Sequence, residues 1–167
     1  MKVVCAWCRK VLADDGSPTA VVTHGICDDC KTKLLGERAI SLSSFLNRLE
    51  FPVLAATDDW MVIDANRAAE QIVGKTAVQL KNHRGGVVIE CYNSGMPGGC
   101  GKTENCAGCA LRRTVADTHA DGRSRYGVYA SPNVFRGGAF GRLQLRVSTE
   151  KVGAIVILSI EEATAAS

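Results

Sequence analysis

Eight cysteines in two quartets constrain this chain more than any other feature of its sequence. The first quartet is Cys5-Ala-Trp-Cys8 and Cys27-Asp-Asp-Cys30, two C-x-x-C pairs with eighteen residues between them. Each such turn presents two thiolates to one tetrahedral ion at about 2.3 Å. Residues 1–38 have only Val3, Val4, Trp7, Val11, Leu12, Val21, Val22 and Ile26 to bury, so a fold there needs the free energy of metal binding. The runs VVCAW and TAVVTH read as short strands, and Asp14-Asp15-Gly16-Ser17-Pro18 reads as the turn between them. The expectation is a small zinc ribbon whose four thiolates leave no open position, hence a structural site. His24 lies near the second pair, and with four cysteines present it reads as a bystander or a support to a ligand.

The second quartet, Cys91, Cys100, Cys106 and Cys109, sits in CYNSGMPGGCGKTENCAGC with gaps of eight, five and two residues. Glycine lets the backbone take positive φ and approach an ion or cluster closely, with amide N–H groups free to meet thiolate sulfur. An iron–sulfur cluster asks for four thiolates, amide donors and nearby positive charge. The loop offers its cysteines, the amides of Gly98, Gly99, Gly101 and Gly108, and the cations Lys102, Arg112 and Arg113. A second zinc satisfies the same ligands, and spacing does not separate the two.

Length and charge bound the remaining classes. A chain of 167 residues with 46% hydrophobic content can bury one core plus a small appendage. Its 20 basic and 17 acidic residues are scattered, which gives no footprint for nucleic acid. The start MKVVCAWCRK has no apolar export segment, and no stretch reaches the roughly 18 apolar residues of a membrane span. Paired C-x-x-C spacing without an export signal reads as metal binding in a reducing compartment, so a cytoplasmic protein is expected.

From residue 39 the pattern becomes that of a larger domain. Leu42, Phe45, Leu46 and Leu49 recur on one face of a helix within residues 31–50, and Pro52 ends it. Strands are expected at 53–57 and 61–64 around the turn Asp58-Asp59-Trp60. A helix follows over 67–73, with Asn66 as its N-cap and Gly74 as its stop. Residues 75–90 are mixed, with Gly85-Gly86 breaking any regular element. A helix over 107–120 places Cys106 and Cys109 at or just before its N-terminus, where the dipole favours thiolate. Strands close the chain at 126–131, 141–149 and 152–160, with Pro132, Asn133 and Gly137-Gly138 marking the long hairpin loop between the first two.

Two strands, helices, then a three-stranded antiparallel run is the order of a PAS domain. The stretch from Phe51 to Gly74, FPVLAATDDWMVIDANRAAEQIVG, resembles the start of that family, with an Asn at residue 66 and a Gly at residue 74. CAWCRK and THGICDDC are similar to a short zinc-binding piece found beside sensor modules in bacterial signalling proteins. The resemblance implies an α+β fold, a PAS-like five-stranded antiparallel sheet with helices on one face, preceded by the ribbon. The expected units are the four-cysteine, zinc-ribbon-like segment 1–38, a linker helix 39–50, and a sensor domain 51–162 carrying the Cys-rich loop 91–109. The Asn-Cys-Arg-Phe-type motif of flavin-binding members is absent, and of haem ligands only His119 is available on a helix facing the pocket.

The expected function is a cytoplasmic signal-sensing module, redox or oxygen responsive through the Cys91, Cys100, Cys106 and Cys109 centre, with an iron–sulfur cluster favoured over zinc because a sensory pocket calls for a two-state input. Cluster loss or oxidation is expected to free loop 91–109 and shift the helix after Cys109. With no kinase, cyclase or DNA-binding output in the sequence, signalling is expected through a homodimer or a partner such as a histidine kinase or regulator, and not through nucleic acid or membrane. An adaptor with two structural zincs is the alternative. A thiol oxidoreductase using Cys106 and Cys109 is a further one, although the strand order is not the βαβ of thioredoxin-like folds. No other catalytic constellation is present, so the chain is not expected to be an enzyme.

Overall fold

The computed structural model describes residues 1–18, 21–35 and 41–166. The division expected at residues 38 and 39 lies outside them. The chain begins with β1 (Lys2–Cys5), β2 (Val11–Asp14) and β3 (Val22–Gly25), in the sheet order β2-β1-β3, with β1 antiparallel to β2 and parallel to β3. Helix α1 (Asp28–Leu35) follows, with Asp28 and Asp29 in its first turn, where acidic groups suit the dipole. The segment is zinc-ribbon-like in ligand set, with the second cysteine pair carried by the start of a helix.

Helix α2 (Leu42–Leu46) is capped by Ser41, which accepts from the Ser44 N–H. It is shorter than the apolar stripe implied, yet Phe45, Leu46 and Leu49 are all buried. The main sheet then starts with β4 (Val53–Ala56) and β5 (Met61–Ala65). Next come α3 (Arg67–Val73), α4 (Ala77–Leu80), the two-residue β6 (His83–Arg84) and α5 (Gly85–Val88). Asn66 and Gly74 cap α3 as expected, the latter at φ 73°. After two 3-10 turns, Tyr92–Gly95 and Glu104–Gly108, come α6 (Ala110–Asp121), β7 (Arg125–Ala130), β8 (Asn133–Arg136), β9 (Ala139–Val152) and β10 (Ile155–Ala166). Strand order is β6-β5-β4-β10-β9-β7, and β8 pairs with the start of β9.

Two local expectations change. The long hairpin loop expected before residue 141 contains a further strand, because Gly137 and Gly138, at φ 57° and 82°, make a tight turn that returns β8 directly onto β9. Gly85 and Gly86 do not break structure; they open α5. A Cβ on Gly85 meets Trp60 Cε2 at 1.9 Å, and one on Gly86 meets Cys100 Sγ at 2.6 Å, so glycine is there for close approach.

Both faces of the sheet are covered. Along β4, Leu54 and Ala56 join the helix-side core with Val62, Leu111, Val115, Val147 and Leu158. Val53 and Ala55 point the other way, into a second core made of Ile157, Val152, Phe45, Leu46, Leu49, Ile26, Cys5, Cys27 and Cys30. The cysteine segment and the sheet therefore share one core. Polar bonds seal the seam: buried Glu150 of β9 accepts from the Ile26 N–H and pairs with Lys31, while Thr23, Ser148 and Glu161 hydrogen-bond together. Burial raises the Glu150 carboxyl above its usual range, against the pull of Lys31 and the Ile26 amide.

Candidate metal centres

Cys5 ends β1, Cys8 lies in the turn after it, Cys27 precedes α1 and Cys30 sits in the first turn of α1. Arg9, at φ 65°, turns the chain so that its N–H reaches the Cys5 carbonyl. All four sulfurs lie within 4.8 Å of one another. Cys8 Sγ and Cys27 Sγ are 3.7 Å apart, close to the edge of about 3.8 Å in a tetrahedron of 2.3 Å bonds. The Cys27 N–H donates to Cys5 Sγ at 3.4 Å. Burial raises the Cys5 thiol, but backbone hydrogen bonds from Cys8, Cys27 and Trp7 outweigh it and hold the group at about 7. Burial raises Cys27 and Cys30, and the sulfurs of Cys5 and Cys8 add to this at both. A cation reverses that cost, so donor set and geometry fit zinc. Trp7, between the first two cysteines, stacks on Phe45 of α2 at 4.6 Å, and the Arg48 guanidinium lies 5.0 Å from its ring centroid, which ties the site to α2. His24 stays outside the sulfur group and stacks on Phe51.

The second quartet is assembled by the loop between α5 and α6. Cys91 leads into the first 3-10 turn, Cys100 follows Gly98 and Gly99 at φ 89° and 75°, Cys106 lies in the second turn, and Cys109 is the N-cap of α6. All four line one cavity, together with Trp60, Gly86, Arg112 and Pro132. Among the described residues the first quartet is the one set with three or more donor atoms mutually within 4.8 Å, so these sulfurs are spread more widely than ligands of a single zinc. The Gly101 N–H donates to Cys106 Sγ at 3.3 Å, and the Thr103 hydroxyl lies 3.1 Å from the same sulfur. Burial raises the Cys106 thiol, yet these bonds and the Arg112 charge bring it below its ordinary value. At Cys91 and Cys100 burial dominates and the thiols are raised. Wide sulfur spacing, amide donors and a cation fit an iron–sulfur cluster.

One residue of this site carries a role that the sequence did not signal. Trp60, buried at φ 62°, lines the cavity with its indole Nε1 unpartnered; Arg112, expected as a cation of the loop, also lines it, with its Nε buried without a partner. The nearest sequence signal was the Gly85-Gly86 pair, which marks where the indole and Cys100 press on the backbone. His119 does not face the cavity; its Nε2 meets the Ala154 carbonyl at the exposed end of α6.

The five long strands run in the order β5-β4-β10-β9-β7, all antiparallel, with α3 to α6 inserted between β5 and β7. The domain is PAS-like. No family model matches the sequence, and no curated protein matches it. Similar solved structures include the photoactive yellow protein domain of a sensor histidine kinase from Rhodospirillum centenum, with 11% identity over 73% of this chain and 94% of that one and a TM-score of 0.46. The PAS domain of nitrogen regulation protein NR(II) from Vibrio parahaemolyticus gives 14% identity, 74% and 99% coverage and 0.43. The LOV protein of Rhodobacter sphaeroides gives 12%, 80% and 67%, and 0.48. Among the described residues no helix of the PAS-like chain is long and apolar enough to cross a membrane.

Proposed function

We propose that this chain is a redox- or oxygen-responsive sensory module of the bacterial cytoplasm, with an iron–sulfur cluster on Cys91, Cys100, Cys106 and Cys109 and a structural zinc on Cys5, Cys8, Cys27 and Cys30. The observation that carries the reading is the contrast between the quartets: one gathers its sulfurs to the spacing of a single ion, while the other spreads them around a cavity. A bound cluster supplies electron transfer and sensitivity to oxygen. The chain's own residues do the rest. Gly101 and Thr103 direct donors at Cys106 Sγ, and Arg112 offsets negative charge there.

The route outward runs through α6. Cys109 caps that helix, Leu111 and Val115 bury its inner face, and the Thr118 and Thr149 hydroxyls join it to β9 at 2.7 Å. On β9 the next residue, Glu150, holds the cysteine segment. A change at loop 91–109 thus has a packed path to the opposite face of the sheet, and from there to a second copy or a partner such as a histidine kinase or regulator.

Metal analysis with visible spectroscopy on protein purified without oxygen tests this. Iron with acid-labile sulfide, brown colour and about one zinc per chain are expected, and Cys106→Ser should lose the colour while keeping the zinc. Two zincs and no colour would leave an adaptor instead of a redox sensor.

A further inference from the structure

Two residues that line the cavity of the second quartet, Trp60 and Arg112, each carry a buried N–H donor without a partner. Trp60 is 2% exposed, and its Nε1 finds no hydrogen-bond acceptor in the protein. A buried N–H without a partner is costly, so a position that keeps one needs an acceptor from elsewhere. The backbone also accepts strain to hold the ring there: Trp60 takes φ 62°, a region in which a bulky residue is rare. The turn enforcing this is fixed by Thr57, which receives the Trp60 N–H at its carbonyl and hydrogen-bonds Asp59 through its hydroxyl. Asp59 in turn pairs with Arg84. On the far side Gly85 leaves the room the indole occupies. Arg112 Nε is the second buried donor without a partner, and it lies over Gly101, 3.3 Å from where a Cβ would stand, between Cys100 and Cys106 in sequence.

We infer that Trp60 Nε1 and Arg112 Nε are positioning donors to the sulfur of the metal centre at Cys91, Cys100, Cys106 and Cys109, and that they set its reduction potential. This rests on the cluster reading above. Hydrogen bonds to cluster sulfur stabilise the more negative, reduced form and raise the potential. Trp60 supplies its donor from an apolar ring that also excludes water, and Arg112 adds a full positive charge.

The test is reduction potential by spectroelectrochemistry on the full, cluster-loaded chain. Trp60→Phe keeps a ring over Gly85 and removes only the donor. It should shift the oxidised-to-reduced ratio about tenfold toward oxidised, a fall of about 59 mV for a one-electron couple, at unchanged iron and sulfide content. Arg112→Gln should move the potential the same way, and serves alone if Trp60→Phe fails to fold. Trp7→Phe, in the zinc segment, should leave it unmoved. Loaded Trp60→Phe and Arg112→Gln proteins with the wild-type potential would overturn the inference and leave the cluster standing. A wild-type chain without iron and sulfide would remove both.

Discussion

Replacing Asn66 should cost far more than a helix cap. Its side chain is fully buried and stands within hydrogen-bond distance of five backbone groups, its two N–H hydrogens shared among three carbonyls. Oδ1 accepts from the N–H groups of Ala69 and Val53, at 2.9 and 3.1 Å. Nδ2 lies 3.2, 3.0 and 2.8 Å from the carbonyls of Leu46, Leu49 and Phe51. The bond to Ala69 is an ordinary N-cap, worth about 1 kcal/mol. Of the other four backbone groups, the Leu46 carbonyl still accepts from the Leu49 N–H, while the Val53 N–H and the Leu49 and Phe51 carbonyls lose this partner at about 1 kcal/mol each even at the low end. Asn66→Ala should therefore lose roughly 4 kcal/mol, a large share of a typical domain's stability. Asn66→Asp separates capping from stitching. Aspartate caps as well as asparagine and keeps both accepted bonds, but it turns an oxygen toward three carbonyls and should lose at least about 3 kcal/mol. Urea unfolding followed by circular dichroism on metal-loaded protein measures both. A cost near 1 kcal/mol for Asn66→Ala with a harmless Asn66→Asp would refute the reasoning and reduce Asn66 to a cap.

Stripping zinc from the first site, or making Cys30→Ser, should lower the melting temperature of the whole chain in one calorimetric transition, because Cys5, Cys27 and Cys30 share a core with Val53, Ala55 and Ile157; two separate transitions would contradict the shared core. Gly85→Ala drives a methyl into the Trp60 ring and should destabilise by about 1–3 kcal/mol, with a changed tryptophan emission. His24 has its pKa lowered below 6.5, chiefly by burial and then by Arg9. On acidification the unfolded chain protonates first, so stability present above pH 6.5 should fall as pH drops below it, and His24→Phe, which keeps the stack on Phe51, should flatten that slope in denaturant titrations. Thiols of the second quartet should resist alkylation in protein as isolated; rapid labelling of Cys106 and Cys109 would favour a free dithiol and the oxidoreductase alternative.

Local chemistry wrote much of this protein into its sequence. The two C-x-x-C pairs, Asn66 as a cap and Gly74 as a stop are rules that act over a few residues, and each holds in the structure. The same rules misread Gly85-Gly86, since a glycine that breaks a helix and one that makes room for a distant ring look alike along the chain. They gave no hint that Trp60, thirty-one residues before Cys91 in sequence, would line that cysteine's cavity.

Sequence by itself determined the two cysteine quartets, most of the strands and the caps, because these depend on residue type and near spacing. Tertiary structure alone decided three things: that the first cysteine segment covers the second face of the sheet, that Asn66 ties α2 to β4, and that one quartet closes while the other stays spread. Each depends on which surfaces meet after folding. No spacing between neighbours along the chain encodes a contact made across the sheet.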